Sequence, residues 1–235
     1  LTRIRTNPSN IEILYEDNHL IAINKRPGDI VQGDKTGDPP LSEILKLFIK
    51  KRDNKPGNVF MGVIHRIDRP VSGVVVFAKT GKALSRMNES LKQKSFQKTY
   101  WAIVENKPKI EYGTRIDYLK KNEQKNKSFA SRTETKGSKK AELEYVLRAD
   151  SDNFYLLEVM PRTGRHHQIR VQLASMGSII KGDLKYGAKR SNKDASICLH
   201  ARELCFEHPT KKTKICIQAD PPKDELWDFF VNKLI

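Results

Sequence analysis

A chain of 235 residues with 44 Lys and Arg against 28 Asp and Glu carries a formal net charge of +16. Its 37% hydrophobic content can fill a core, which excludes wholesale disorder, and its best apolar run, Val74-Val75-Val76-Phe77-Ala78, falls far short of the roughly 18 residues a membrane span needs. So large a basic excess points to a polyanionic partner, nucleic acid foremost.

The first predicted element is a β-hairpin, Ile11–Tyr15 and His19–Ile23, turned through Glu16-Asp17-Asn18. Lys25-Arg26-Pro27-Gly28 ends its second strand, and the Gly- and Pro-rich stretch from Asp29 to Pro40 reads as loop. Leu41, Ile44, Leu45, Phe48 and Ile49 then recur at helical spacing, which predicts an amphipathic helix to about Arg52. A buried strand is expected over Val74–Lys79, followed by a helix marked by Ala83, Leu84, Met87 and Leu91 and a strand over Thr99–Val104.

Residues 105–140 are polar and Lys-rich, with few apolar anchors, and are expected to form a basic insertion or hairpin arm. Beyond it come strands near 143–149 and 153–160, and a helix from about 166 with Ile169, Leu173 and Met176 on one face. Strands at Ile197–Phe206 and Thr213–Ala219 and a helix Lys223–Leu234 complete the chain. Regular βαβ alternation is missing, so the expectation is an α+β fold around a largely antiparallel mixed sheet, flanked by helices and loops, in a single domain over 1–235.

The charge is unevenly placed. Twelve of the sixteen net charges fall between residues 61 and 140, and seven of those twelve lie in residues 107–140. Cys198, Cys205 and Cys216 lack the paired spacing of zinc ligands and stand in apolar segments; they are expected to be reduced, buried small hydrophobes in a cytoplasmic protein.

Several motif-like strings fail on inspection. Ala78-Lys79-Thr80-Gly81-Lys82-Ala83 lacks the first glycine and the final Ser or Thr of a phosphate loop, and the adjacent His166-His167 pair has no carboxylate frame for a metal. Three segments remain. His65-Arg66-Ile67-Asp68-Arg69-Pro70-Val71-Ser72-Gly73 contains Asp68, the only carboxylate from residue 54 through residue 88. Between Arg66 and Arg69 it is expected to stay ionised, which suits a nucleophile or a general base. Pro161-Arg162-Thr163-Gly164-Arg165-His166-His167-Gln168-Ile169-Arg170 gathers donors for phosphate or carboxylate at the start of a helix, with Arg170 expected on the helix's flank. Lys98-Thr99-Tyr100-Trp101 is a basic and aromatic entry to a strand, where Tyr100 can stack on a base.

Together these segments resemble the RluA-type pseudouridine synthases. Residues 65–73 are similar to the family's HRLDxxTSG signature, with Ile for Leu and Val for Thr, and residues 163–170 match TGRxHQ[IL]R. Lys98-Thr99-Tyr100 fits K-x-Y, residues 182–187 fit GDxxYG, Leu199-His200-Ala201 fits LHA, and Lys25-Arg26-Pro27-Gly28 resembles the KPxG turn. All stand in the family's order. Gln172 departs from the family, which often has His there, and no S4-type RNA-binding module precedes the signature in this chain.

The resemblance implies that the chain is a pseudouridine synthase catalytic domain, isomerising uridine to pseudouridine in ribosomal RNA (23S) or transfer RNA. It implies neither cofactor nor metal, and a monomer that captures RNA through its own basic surface. It also implies that Asp68 is the essential carboxylate and that Arg170 pairs with it. Tyr100 would stack on the uracil and help remove the C5 proton, while Leu199 walls the base pocket. Arg66, with His65 and Arg165, would contact substrate. The competing expectation is a non-catalytic RNA-binding or ribosome-assembly factor on the same fold, which the presence of Asp68, Tyr100 and Arg170 argues against.

Overall fold

Residues 5–34 and 36–234 are described by the computed structural model. The chain divides into two compact units: residues up to Gln97 together with Ala201–Pro221, and Lys98–His200 together with the stretch from Pro222 onward.

In the first unit the predicted hairpin forms as β1 (Ile13–Glu16) and β2 (Leu20–Lys25), and Asp17 caps its turn by accepting the His19 and Leu20 N–H groups at 2.8 and 2.9 Å. β2 pairs antiparallel with β4 (Ser72–Ala78), Ile21 opposite Phe77 and Ile23 opposite Val75. The helix α1 (Leu41–Arg52) lays Leu41, Ile44, Leu45 and Ile49 over Ile21, Ile23, Val75 and Phe77. On the opposite face Leu20, Ala22, Val74, Val76 and Ala78 meet Ala83 and Met87 of α2 (Gly81–Lys92), together with Leu204, Phe206 and Ile217. Covering both faces is what demands an unbroken apolar run at Val74–Ala78 in place of alternation. Thr80, part of the failed phosphate-loop string, is the N-cap of α2 and accepts the Ala83 N–H at 3.1 Å.

Two features of this unit depart from expectation. A two-residue strand, β3 (Gly62–Val63), pairs with Ala78 and Phe77; it is too short for any periodicity to announce. The cysteines were expected reduced and buried, yet Cys205 and Cys216 are joined in a disulfide, and Cys216 is exposed. The reason is register. β10 (Leu199–Glu207) and β11 (Lys214–Gln218) form an antiparallel ladder that sets the two directly opposite each other. Cys198 alone remains free and buried.

The second unit is an antiparallel sheet in the order β5 (Gln97–Val104), β9 (Tyr155–Pro161), β8 (Lys139–Asp150), β6 (Tyr112–Asn122), β7 (Lys127–Ser131). The Lys-rich 105–140 region supplies the β6–β7 hairpin. On one face of it Leu119 and Ala130, with the neighbouring Ala141 of β8, pack against Val171 and Ala174 of α3 (Gln168–Ser175), while Ile116 and Phe129 stay exposed. The last helix, α4 (Glu225–Leu234), buries Trp227 and Phe230, and Asp224 caps it through the Leu226 and Trp227 N–H groups. No helix among the described residues is long and apolar enough to cross a membrane. With four α-helices and antiparallel ladders among the described residues, the architecture is α+β, as expected.

Candidate active site

His65, Arg66 and Asp68 belong to the first unit; Tyr100, Arg165, Arg170 and Leu199 belong to the second. Each set is built by its own local chemistry.

The Asp68 loop joins β3 to β4. His65 leaves the ladder after β3 but continues its work, because its Nε2 accepts the Val76 N–H at 3.1 Å where a strand carbonyl would otherwise stand. The Val71 N–H donates to the Asp68 carbonyl at 3.0 Å, closing a turn over Arg69-Pro70. Lys25, only 1% exposed, then pins that turn from beneath: its ammonium donates to the carbonyls of Val71 at 2.7 Å, Arg26 at 3.0 Å and Arg69 at 3.1 Å. Gly28 N–H adds a bond to the Arg69 carbonyl at 2.6 Å, with Gly28 at φ +93°. Thus the Lys25–Gly28 turn is a clamp on the backbone that carries Asp68.

The loop ends at Gly73, whose φ of +114° and tight approach to Ala201 exclude any side chain. Arg69 and Arg66 have separate fates. Arg69 pairs with Asp38 and reaches Thr36 Oγ1 at 3.3 Å, whereas Arg66 is exposed and has no ion-pair partner among the described residues.

In the second unit Gln168 ties together the Thr163–Arg165 turn. Its Oε1 accepts from Thr163 Oγ1 at 2.7 Å and the Arg165 N–H at 2.9 Å, while its Nε2 donates to the Glu142 carbonyl at 3.0 Å. Arg165 is exposed, with Nε on the Lys140 carbonyl at 3.0 Å. His167 takes the left-handed conformation at the N-cap of α3 (φ 53°).

Arg170 is not on an exposed flank. It is 5% exposed, because α3 is buried from Gln168 through Leu173 and offers no solvent side there. Its Nε and Nη2 donate to the two Asp183 oxygens at 2.7 and 2.8 Å, a fork with side chains 6% and 1% exposed. The guanidinium carbon also lies 5.2 Å from the centre of the Tyr186 ring.

The Tyr186 hydroxyl accepts the Ser128 N–H at 2.9 Å, and His167 Nδ1 lies 3.0 Å from the same oxygen. A neutral His167 therefore accepts the tyrosine proton at Nδ1, an assignment made from the network. Burial, reinforced by the Arg170 charge, pushes His167 down to about 2. Gln172, fully buried, donates to Asp117 Oδ2 at 2.9 Å and so joins α3 to β6.

Tyr100 lies in β5 opposite Val159, half-buried, with Lys98 on the same face two residues earlier. A Cβ placed on Gly164 would stand 3.9 Å from the Lys98 ammonium, so that ammonium rests against the Thr163–Arg165 turn. Lys98 has no hydrogen-bond or ion-pair partner among the described residues, and desolvation holds it below the ordinary lysine range. Leu199 is buried at the start of β10.

Asp183, Tyr186, His167 and Lys98 were not singled out individually from sequence. All four stand inside the quoted motif strings, but only the fold shows that Asp183 returns to Arg170, after chain reversals at Gly177 (φ +87°) and Gly182 (φ +85°).

The comparisons agree with these motifs. A family model described as RNA pseudouridylate synthase matches residues 19–175. The ribosomal large subunit pseudouridine synthase C of Buchnera aphidicola subsp. Acyrthosiphon pisum is 34% identical over 237 residues, covering 95% of this chain and 70% of that protein. The tRNA pseudouridine synthase C of Haemophilus influenzae is 33% identical, covering 95% of this chain and 97% of its own. Among solved structures, human RNA pseudouridylate synthase domain containing 4 aligns with a TM-score of 0.76 at 22% identity over 95% of this chain and 92% of that one, a likeness of fold. The chain accordingly belongs to the RNA pseudouridylate synthase family, isomerases of the RluA type.

Proposed function

We propose that this chain isomerises uridine to pseudouridine within ribosomal or transfer RNA, with Asp68 as the essential carboxylate. The observation that carries the reading is the family match over residues 19–175, the stretch that contains Asp68, Tyr100 and Arg170. Relatives named for the ribosomal large subunit and for tRNA both occur, so either RNA is a candidate substrate here.

In the proposed reaction the N1–C1′ bond breaks, the uracil turns, and C5 bonds to C1′; N1 gains a proton and C5 loses one. Asp68 acts on the sugar, as nucleophile at C1′ or as base on the 2′ proton. Its loop is clamped by Lys25 and Gly28, which favours a fixed carboxylate direction. Arg170, held by Asp183, is assigned to orient Asp68. Tyr100 is assigned to stack on the uracil and take part in removing the C5 proton.

Leu199 is assigned to the wall of the base pocket. Arg66, exposed and without an acidic partner among the described residues, suits the space left when the target base is extruded, a step costing a few kcal/mol. His65 and Arg165 are assigned to substrate contact beside it. The reading takes residues 1–235 as one catalytic domain, working as a cytoplasmic monomer without metal or cofactor.

The test is tritium release from RNA labelled at uridine C5. Wild type is expected to release it, and Asp68→Asn to reduce the rate at least a thousandfold while retaining RNA affinity. Full activity in Asp68→Asn would remove Asp68 from the chemistry.

A further inference from the structure

We propose that the outer face of the β6–β7 hairpin is a second RNA-binding surface, on which Phe129 stacks an unpaired base while Lys120 and Lys127 engage the flanking phosphates. The inference rests on the RNA-modifying reading above and names a contact that reading does not use.

Strand parity defines the surface. Leu119, Ala130 and Ala141 face α3, so the alternate residues of the same strands face the other way. Register sets Lys120 opposite Phe129 and Tyr118 opposite Ser131, and puts Ile116 two residues further along β6 on the same side. Phe129 is 48% exposed and Ile116 39% exposed. An aromatic on the open side of the edge strand has no role in the core on the other side, and an exposed Phe among lysines is the combination that single-stranded RNA uses: every base has a face to stack, and every linkage a charge to pair.

Charge identifies the occupant. Residues 107–140 carry eleven basic and four acidic side chains. Three of the acids are already engaged, Glu111 by Lys107, Asp117 by Arg115 and Glu123 by Lys121. Lys120 and Lys127 have no acidic partner among the described residues. The Lys127 ammonium instead lies 5.8 Å from the Phe129 ring centre and 5.0 Å from that of Tyr186, at the edge strand of this sheet. It therefore borders both the open face and the ring that lies beside Arg170. A neutral or basic partner would leave these ammonium groups uncompensated, whereas RNA, the polyanion that the proposed reaction already brings to the chain, neutralises them and releases counterions.

The experiment uses the full chain and a fluorescein-labelled, mixed-sequence 20-nucleotide RNA, with anisotropy read between 50 and 200 mM salt, beside tritium release from C5-labelled total RNA. Phe129→Ala is expected to weaken binding about tenfold and to raise KM with kcat unchanged, and Phe129→Trp to restore both. Lys120→Ala with Lys127→Ala is expected to flatten the slope of log K against log salt by about 1.4, or 0.7 per lost phosphate contact. All substitutions are on an exposed face, and thermal melts that match wild type confirm folding.

Wild-type affinity, KM and salt slope in these variants overturn the surface while leaving the catalytic reading intact. Loss of RNA binding in Phe129→Ala, combined with no tritium release by wild type, overturns the catalytic reading while supporting the surface. A Phe129 effect with an unchanged lysine salt slope also overturns the proposal, since it marks an apolar partner in place of RNA.

Discussion

Replacing Asp183 with asparagine probes the electrostatic centre of the second unit. The Arg170–Asp183 fork is made at 2.7 and 2.8 Å, between side chains 6% and 1% exposed. Asparagine keeps the carboxylate's shape, but its NH2 group then faces a guanidinium N–H at hydrogen-bond distance. One of the two bonds becomes a donor–donor contact, and the compensating charge is lost.

Removing one partner of a buried ion pair costs about 3–5 kcal/mol; the retained acceptor oxygen and the Tyr186 ring put the expected loss at the lower end, about 3 kcal/mol. In a protein of this size that corresponds to a fall of roughly 6–12 °C in Tm. The assay is urea denaturation of wild type, Asp183→Asn, Arg170→Gln and the double variant. The double variant is expected to be more stable than the sum of the singles predicts, by at least about 1 kcal/mol. A loss under about 1 kcal/mol in Asp183→Asn, or strict additivity, would refute the pair's proposed weight.

Gly73→Ala would set a Cβ 2.2 Å from the Ala201 carbonyl oxygen and 2.7 Å from that residue's N and C, all backbone atoms, at φ +114°. Urea denaturation is expected to show a loss above about 3 kcal/mol, and a near-neutral result would contradict the close approach of strands there. His167 works through proton linkage. Below its ordinary value near 6.5 the unfolded chain takes up a proton that the native imidazole refuses until about 2, so stability falls as pH falls, by about 1.4 kcal/mol per unit. His167→Asn, which tolerates the left-handed backbone, should remove that slope between pH 6 and 4; denaturation midpoints that retain it would assign it elsewhere. Lys98 is a partly desolvated ammonium without a partner among the described residues, so Lys98→Met is expected to raise stability by on the order of 1 kcal/mol while slowing tritium release. A variant less stable than wild type would show that Lys98 has a structural role.

Legibility in the sequence followed the kind of signal each element carries. α1, α2 and α4 were readable because each buries one apolar face, and the β1–β2 hairpin because a polar turn, capped by Asp17, separates two apolar runs. α3 was placed correctly but its orientation was not. Six consecutive residues, Gln168–Leu173, are buried, so no apolar stripe tells which side Arg170 faces. In the 105–140 region the few apolar anchors gave little sign of a core, because part of the buried face of β6 and β7 is polar: Asp117 and Ser128 are each 1% exposed. The Cys205–Cys216 bond depends on a strand register that composition does not encode. Asp68, Tyr100 and Arg170 are candidates through ordered motif strings, while the partner that holds Arg170 needed the tertiary path from α3 through Gly182.

Two cations of the second unit's motif segments, Arg170 and Lys98, are treated in opposite ways, and the contrast bears on function. Arg170 is fully provided for by a carboxylate fork, an aromatic face and a histidine kept neutral; protonating His167 would set a second positive charge beside it. Such a group is pre-organised, so it changes neither charge nor position as pH varies over the physiological range. Lys98 is the reverse, a cation drawn out of water against the Gly164 turn with no compensating partner among the described residues. Folding alone gains nothing from that arrangement, because a methionine, unbranched and one atom shorter, would pack there without the desolvation cost. An anionic ligand would supply the missing partner, and an RNA phosphate is the anion the proposed substrate carries. Under that reading the instability at Lys98 is offset only when RNA is bound, which makes it a group that favours the complex over the free enzyme.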